Sequence, residues 1–354
     1  MSFRRAFTLL NGLALAALVT VPSYAQEKGQ EQQQQQRKLS GDERREYLAL
    51  TELVDTVAAG KQPAPADVKL TFQHHYLRSN ENVYLPYILQ ISGGKFSSFP
   101  VAMYVRVAPK TAAGAPAPAA AKQGDAPPDY PFADVYFLTE QSITTAGDVA
   151  QVQRALQVPA GEYTLYVAMR ERQPRDRKRG PPKSVVMTHP LTVPDLTRGL
   201  TTSSVIVSKG LDPASEKLTA QQQLEQPFTI SGYRIAPTFS AGVPQSGEFL
   251  FLFFIYNEGI AASGKPDLEV DYLFFRAAEE KPFTKLATQS FNATTLPGQF
   301  DLNAGHQVFV GQGIPLKSDA MTFEPGDYRM EIKITDKTNG QSVTRNVPFT
   351  VIAG

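Results

Sequence analysis

The chain has 354 residues, enough for about two ordinary domains. Thirty-five basic residues oppose thirty-four acidic ones, so no global field favours nucleic acid or an acidic substrate, and any charge-driven partner must be recognised locally. Cysteine is absent, which excludes disulfides, thiolate metal sites, cysteine nucleophiles and a lipidated cysteine.

The first residues read as an export signal. Arg4 and Arg5 precede an apolar run from Ala6 to Val21, and Ser23-Tyr24-Ala25 places small residues before a cleavage point after Ala25. The run is too short for a membrane span, so residues 1–25 are expected to leave a mature chain without one, in the periplasm or at the cell exterior. Residues 26–39 include the Gln32 to Gln36 run, have almost nothing apolar to bury and read as a flexible tether.

Ser40-Gly41-Asp42-Glu43 fits a capping box, and Tyr47, Leu50, Val54 and Val57 follow on one helical stripe. This predicts an amphipathic helix within 40–60, ended by Gly60, Pro63 and Pro65, with its stripe packed on the first sandwich or, alternatively, on another chain. From Asp67 the period becomes two: Val68, Leu70 and Phe72 alternate with polar residues, and strands are expected at Val83 to Ile91 and Val101 to Val107. The Ala- and Pro-rich stretch 108–128 reads as an insertion between strands.

An internal repeat organises the rest. Pro159-Ala160-Gly161-Glu162-Tyr163 and the strand after it match Glu324-Pro325-Gly326-Asp327-Tyr328 and its strand at an offset of 165. Tyr84 to Ile91 aligns with Phe249 to Tyr256 at the same offset, Tyr104 with Tyr272 at 168, and Pro190-Leu191-Thr192-Val193 with Pro348-Phe349-Thr350-Val351. Ordered matches imply two copies of one fold, with domains at 65–195 and 198–354. The fold class is therefore all-β: two tandem antiparallel Greek-key sandwiches preceded by a short helix.

In each copy a Gly lies two residues before a Tyr that opens an alternating strand. Tyr163 and Tyr328 so placed resemble the tyrosine corner of Greek-key sandwiches, a structural role. The repeated unit resembles immunoglobulin-like or fibronectin type III-like modules of bacterial envelope proteins. Leu200 to Ile352 more narrowly resembles the tail domains of secreted GWxTD and VWFA-related proteins. The residues that carry this are Ser203-Ser204-Val205-Ile206-Val207, Phe253-Phe254-Ile255-Tyr256-Asn257, and the Pro325-Gly326-Asp327-Tyr328 turn with its Asn339-Gly340 hairpin. The chain has no Trp, so the Gly-Trp-x-Thr-Asp element is missing, and it has no Asp-x-Ser-x-Ser motif; neither family's activity carries over.

Two segments stand out as candidate surfaces. The hairpin Arg170 to Lys183 holds Arg170, Arg172, Arg175, Arg177, Lys178, Arg179 and Lys183 against Glu171 and Asp176, a local charge of +5. It reads as a solvated loop or a contact for a polyanion such as lipid headgroups or acidic polysaccharide; without interleaved aromatics, specific nucleic-acid recognition is not expected. In Phe249 to Tyr256 both rows are apolar, and the offset of 165 assigns Leu250, Leu252, Phe254 and Tyr256 to the core. Phe249, Phe251, Phe253 and Ile255 are then expected on the outer face, covered by the other domain or a partner.

Among catalytic and metal motifs nothing stands out. His74 and His75 are adjacent and point apart in a strand, while His189 and His306 are isolated, so no metal or other cofactor is expected. Asp267, Glu269 and Asp271 share one strand face, where surface charge is the ordinary reading and calcium the alternative. No nucleophile elbow, phosphate loop or dinucleotide fingerprint occurs. The expected function is non-catalytic: a binding or scaffolding protein that presents its sandwiches to another envelope protein. The alternatives are a carbohydrate-binding or accessory module and a divergent hydrolase.

Overall fold

The computed structural model describes residues 39–96, 98–110, 130–146, 149–172, 182–214, 218–239, 242–302, 305–319 and 321–354. The expected signal segment and tether, and nearly all of the Ala/Pro-rich insertion, lie outside these. The chain divides into two compact units. One runs to Asp195 and takes in Thr219–Pro227; the other comprises Leu196–Leu218 and Phe228–Gly354. Among the described residues the molecule is all-β, with two helices and one 3₁₀ turn.

In the first unit, α1 (Gly41–Ala58) starts on the capping box: the Glu43 backbone N–H donates to Ser40 Oγ at 3.3 Å and the Ser40 N–H to Glu43 Oε2 at 2.9 Å. Nine strands follow: β1 (Lys69–His74), β2 (Leu77–Ser79), β3 (Asn82–Ser92), β4 (Val101–Pro109), β5 (Phe132–Leu138), β6 (Thr144–Ala146), β7 (Val149–Val158), β8 (Gly161–Arg170) and β9 (Ser184–Val193). One sheet has the order β1-β3-β7-β6, with β2 also on β3; the other is β5-β4-β8-β9. Every pairing among these strands is antiparallel. This is the A-B-E-D and C′-C-F-G arrangement of an immunoglobulin-like sandwich.

The apolar stripe of the helix packs on its own unit. Leu50 and Val54 are fully buried against Ala102, Tyr104, Ala168 and Val186 on the outer face of the β5-β4-β8-β9 sheet. Burying two such side chains is worth about 1.5–3 kcal/mol each. A second helix, α2 (Ala220–Glu225), also belongs to this unit. Thr219 caps it, and it lies against β7. The buried Tyr84 hydroxyl sits 3.1 Å from both the Gln223 and the Pro227 carbonyl oxygens. The sequence division 198–354 is amended accordingly: 219–227 leaves the second sandwich to pack on the first unit.

The second unit contains β10 (Thr201–Thr202), β11 (Ile206–Pro213), β12 (Thr229–Ile230), β13 (Tyr233–Pro237), β14 (Gly242–Pro244), β15 (Glu248–Tyr256), β16 (Leu268–Arg276), β17 (Thr284–Lys285), β18 (Gln289–Phe291), β19 (Val308–Pro315), β20 (Gly326–Asp336) and β21 (Ser342–Ile352). One sheet runs β10-β15-β11-β13-β12 with β19 on the other edge of β15; the second runs β14-β21-β20-β16-β17 with β18 on β16. All pairs are antiparallel except the short β14–β21 contact. The central hairpins of both units share strand order, as the repeat implies.

The repeat places one strand a residue out of phase. Phe249, Phe251, Phe253 and Ile255 are buried in the core of their own sandwich, with Leu268, Val270, Tyr272 and Phe274 of β16 and Met330 and Ile332 of β20. The Phe249 ring stacks on Phe349 at 4.2 Å, and Phe251 meets Tyr272 at 5.6 Å. The expected partner face is thus the core face. Leu252, Phe254 and Tyr256 of the other row are buried as well, with Phe254 against Phe309 at 5.1 Å and along Tyr256 at 6.1 Å. In the first unit the core row is Leu85, Tyr87, Leu89, since Phe72, opposite Leu89, meets both Tyr87 and His189 of the facing sheet. An odd offset joins odd to even positions, and in a strand one residue of slip exchanges the faces. The Tyr104–Tyr272 match fails in the same manner: Tyr104 lies beneath α1, whereas Tyr272 points inward.

Candidate functional site

The basic hairpin begins where β8 ends. Arg170 lies 3.6 Å from Glu46, and Arg172 lies 3.6 Å from Asp42, both carboxylates carried by the first turns of α1. Lys183 Nζ donates to the Lys95 carbonyl at 2.6 Å, and its backbone N–H to the buried Glu171 carboxylate at 3.1 Å. Three of the seven expected anion contacts are therefore engaged by the unit's own groups. Arg175, Arg177, Lys178 and Arg179 lie outside the described residues. Pairing with α1 was not readable from the loop, because the acids stand more than a hundred residues earlier.

The two opening tyrosines hold the turns before their strands. Tyr163 Oη donates to the Pro159 carbonyl at 3.1 Å and Tyr328 Oη to Glu324 at 2.8 Å, each four residues upstream, with both rings buried. In the first copy the Tyr163 hydroxyl approaches Gly161 so closely that a β-carbon there would stand 3.0 Å from it.

Several buried polar groups are committed to the framework. The Arg106 side chain of β4 reaches Asp55 of α1 at 2.5 Å and lies over the Tyr130 and Tyr166 rings at 4.7 and 5.1 Å. The fully buried Asp336 carboxylate accepts from the Gly259 N–H at 2.6 Å, the Thr338 N–H at 2.9 Å, the Thr338 hydroxyl at 2.6 Å and Asn339 Nδ2 at 3.0 Å. Tyr272 Oη donates to Gln289 Oε1 at 2.6 Å, and Gln289 Nε2 to Gln312 Oε1 at 2.7 Å, which links the two sheets of the second sandwich. In the first, Asp134 and Tyr136 of β5 face Tyr87 and Arg154; burial raises the Asp134 carboxyl above its usual range, offset in part by the Val135 N–H, Tyr136 and Arg154.

The acidic row of β16 is likewise engaged. Glu269 meets Lys337 Nζ at 2.8 Å, and Asp271 accepts from the Thr288 hydroxyl at 2.5 Å and meets Lys285 at 2.9 Å. The Thr288 hydroxyl and the Lys285 ammonium hold the Asp271 carboxyl below its ordinary value. Among the described residues no three His, Asp or Glu side chains converge in a group that could hold a metal ion. No helix among them is long and apolar enough to cross a membrane.

Sequence spacing missed a histidine pair. His74 and His189 stand on different sheets, yet their rings are 6.2 Å apart, with Phe72 beside both. The second unit also carries a hollow of about 260 Å³ between residues 261–267 and 292–294. Asp267, Ser263 and Asn292 line it, and Asn292 Oδ1 accepts from the Thr294 N–H and hydroxyl at 2.9 and 2.7 Å.

No family model matches the chain, and no curated protein does. Among solved structures it is similar to a mutant of Salmonella alpha-2-macroglobulin, at 11% identity over 81% of this chain with a TM-score of 0.19. It spans only 17% of the length of that protein. It is also similar to Dpr2 Ig1-Ig2, solved in complex with DIP-Theta Ig1-Ig3, at 10% identity over 77% of this chain and 91% of that one with a TM-score of 0.17. The strand order, not these likenesses, makes the fold immunoglobulin-like.

Proposed function

We propose that the chain is a non-catalytic binding or scaffolding protein, exported to the periplasm or cell exterior, that presents its sandwiches to another envelope protein. The observation that carries the reading is the structural commitment of four buried groups. Arg106, Asp336, Tyr272 and Glu171 each sit in contacts that hold strands, turns or α1 in place. A general acid or base needs a free proton-accepting or proton-donating position facing substrate. The exported location rests on the N-terminal residues, and the envelope setting on the resemblance of the repeated unit. Arg175, Arg177, Lys178 and Arg179 are the candidate polyanion contact. Photo-cross-linking from exposed positions in each unit tests the partner.

The hollow beside Asp267 favours a second reading, as an accessory module for a small polyol or saccharide. Its lining combines the Asp267 carboxylate and the Asn292 amide with Ala261 and Pro266, residue types that suit hydroxyls and an apolar edge. Titration with monosaccharides, read by chemical shifts of Asn292 and Ala293, separates the readings: shifts that saturate and vanish in Asp267→Asn support the second.

A further inference from the structure

The geometry points to an acid-opened clasp between β1 and β9, formed by His74, His189 and Tyr76. The chain that leads into β1 is joined to β9 by hydrogen bonds: the Asp67 N–H donates to the Ser184 carbonyl at 3.1 Å, and the Val186 N–H to the Pro65 carbonyl at 2.9 Å. Beyond Val68 the strand crosses to the other sheet and pairs with β3 from Lys69 to His74. At this far end, side chains alone hold β1 and β9 together. Tyr76 Oη donates to the Thr192 carbonyl at 2.7 Å and accepts from His74 Nε2 at 2.8 Å. The His74 ring is stacked with Phe72 at 4.9 Å and stands edge-on to His189 of β9 at 6.2 Å.

Positive charge on His74 works against this arrangement. A proton on both would set two cations about 6 Å apart beside the apolar Phe72 ring. The groups that face the pair are few. Tyr87 of β3 lies opposite His74, and His75 follows it with its own ring buried on the other face of the strand. Glu162 of β8 bears on Tyr76 and stands 3.5 Å from Lys110. No carboxylate figures among the influences on His74; burial lowers its pKa to about 4, and His189 adds to the shift.

Opening restores His74 to its ordinary value near 6.5, so the closed form is favoured above that pH and progressively lost as pH falls toward 4. For this one residue the opening equilibrium rises about 20-fold between pH 7 and pH 5. The acid form frays the end of β1, an edge strand, breaking its last pairs with β3 and the His75 N–H bond to the Pro86 carbonyl, while the hydrogen bonds of Pro65 and Asp67 with β9 remain.

Amide hydrogen exchange on the full chain tests this, with rates corrected for intrinsic pH dependence. In the wild type, protection of amides 71–76 should fall by an order of magnitude or more from pH 7 to pH 5, while β20 and β21 stay unchanged. In His74→Gln the fall should be about 20-fold smaller than in the wild type, the remainder carried by His75, whose burial lowers its pKa to about 3. Should His74→Gln not fold, His189→Gln serves, with the His74 proton resonance titrating higher than in the wild type because the neighbouring charge is gone. Unchanged wild-type protection, an equal loss in His74→Gln, or an unshifted His74 titration in His189→Gln would each overturn the clasp.

Discussion

Arg106 of β4 and Asp55 of α1 form the contact that ties the helix to the sheet: the guanidinium is nearly fully buried beneath the helix, whereas the carboxylate side chain is 42% exposed. Asp55→Ala leaves that cation without its counter-charge. It should cost roughly 3 kcal/mol in urea unfolding. The double variant Asp55→Ala with Arg106→Met should recover part of the loss, since Met fills the space without a charge. Additive losses in the double variant would mean that Arg106 is held by Tyr130 and Tyr166 and not by Asp55.

Asp336 and Gly259 close one end of the second sandwich. Asp336→Ala strands four donors and should lower stability by about 3 kcal/mol. Gly259→Ala should cost about 1–3 kcal/mol, because its β-carbon would overlap the Thr338 hydroxyl. Removing that hydroxyl by Thr338→Ala should make the Gly259→Ala penalty smaller. Denaturant midpoints of the three variants and the double variant check both statements.

Core placement of Phe251 predicts a stability phenotype. Phe251→Ala should destabilise the second unit by roughly 3–5 kcal/mol. Below the unfolding transition, sedimentation should be unaltered. A changed sedimentation coefficient at native stability would return this side chain to a surface role.

The basic hairpin predicts a charge experiment. Neutralising Arg175, Arg177, Lys178 and Arg179 to Gln should reduce retention on a sulfated polysaccharide column and flatten its salt dependence. Neutralising the α1 acids, Asp42→Asn with Glu46→Gln, should increase retention, because Arg170 and Arg172 lose their partners. The Asp42 change should cost within about 1 kcal/mol, as for exposed ion pairs, and the Glu46 change more, because its pair with Arg170 is partly buried. Equal retention of all three proteins would remove the polyanion contact.

Local signals were the legible ones. Ser40 and Glu43 marked the start of α1, and Tyr47, Leu50, Val54 and Val57 gave its packed stripe. The Gly-x-Tyr turns located β8 and β20, where alternation of large apolar with smaller or charged residues fixes the inward row. In β15 that contrast vanishes, since Phe and Leu fill both rows and alignment by hydrophobicity cannot distinguish adjacent registers. The six-residue α2 is too short to show a period, and only Tyr84 far upstream reveals where it packs. His74 with His189, and Arg106 with Asp55, come together through sheet topology; no spacing along the chain encodes them.

Leu48 and Ile260, at 55% and 50% exposure, are the large apolar side chains most open to solvent among those described in the two units. A photo-reactive benzoylphenylalanine placed in turn at Leu48, Ile260 and Arg172, in the cells that make the protein, tests the proposed role most directly. The account predicts an adduct of one defined mass with another envelope protein from at least one position, with no hydrolytic turnover by the purified chain. Uncross-linked chain at every position, together with turnover that Asp134→Asn or Asp267→Asn abolishes, would contradict it.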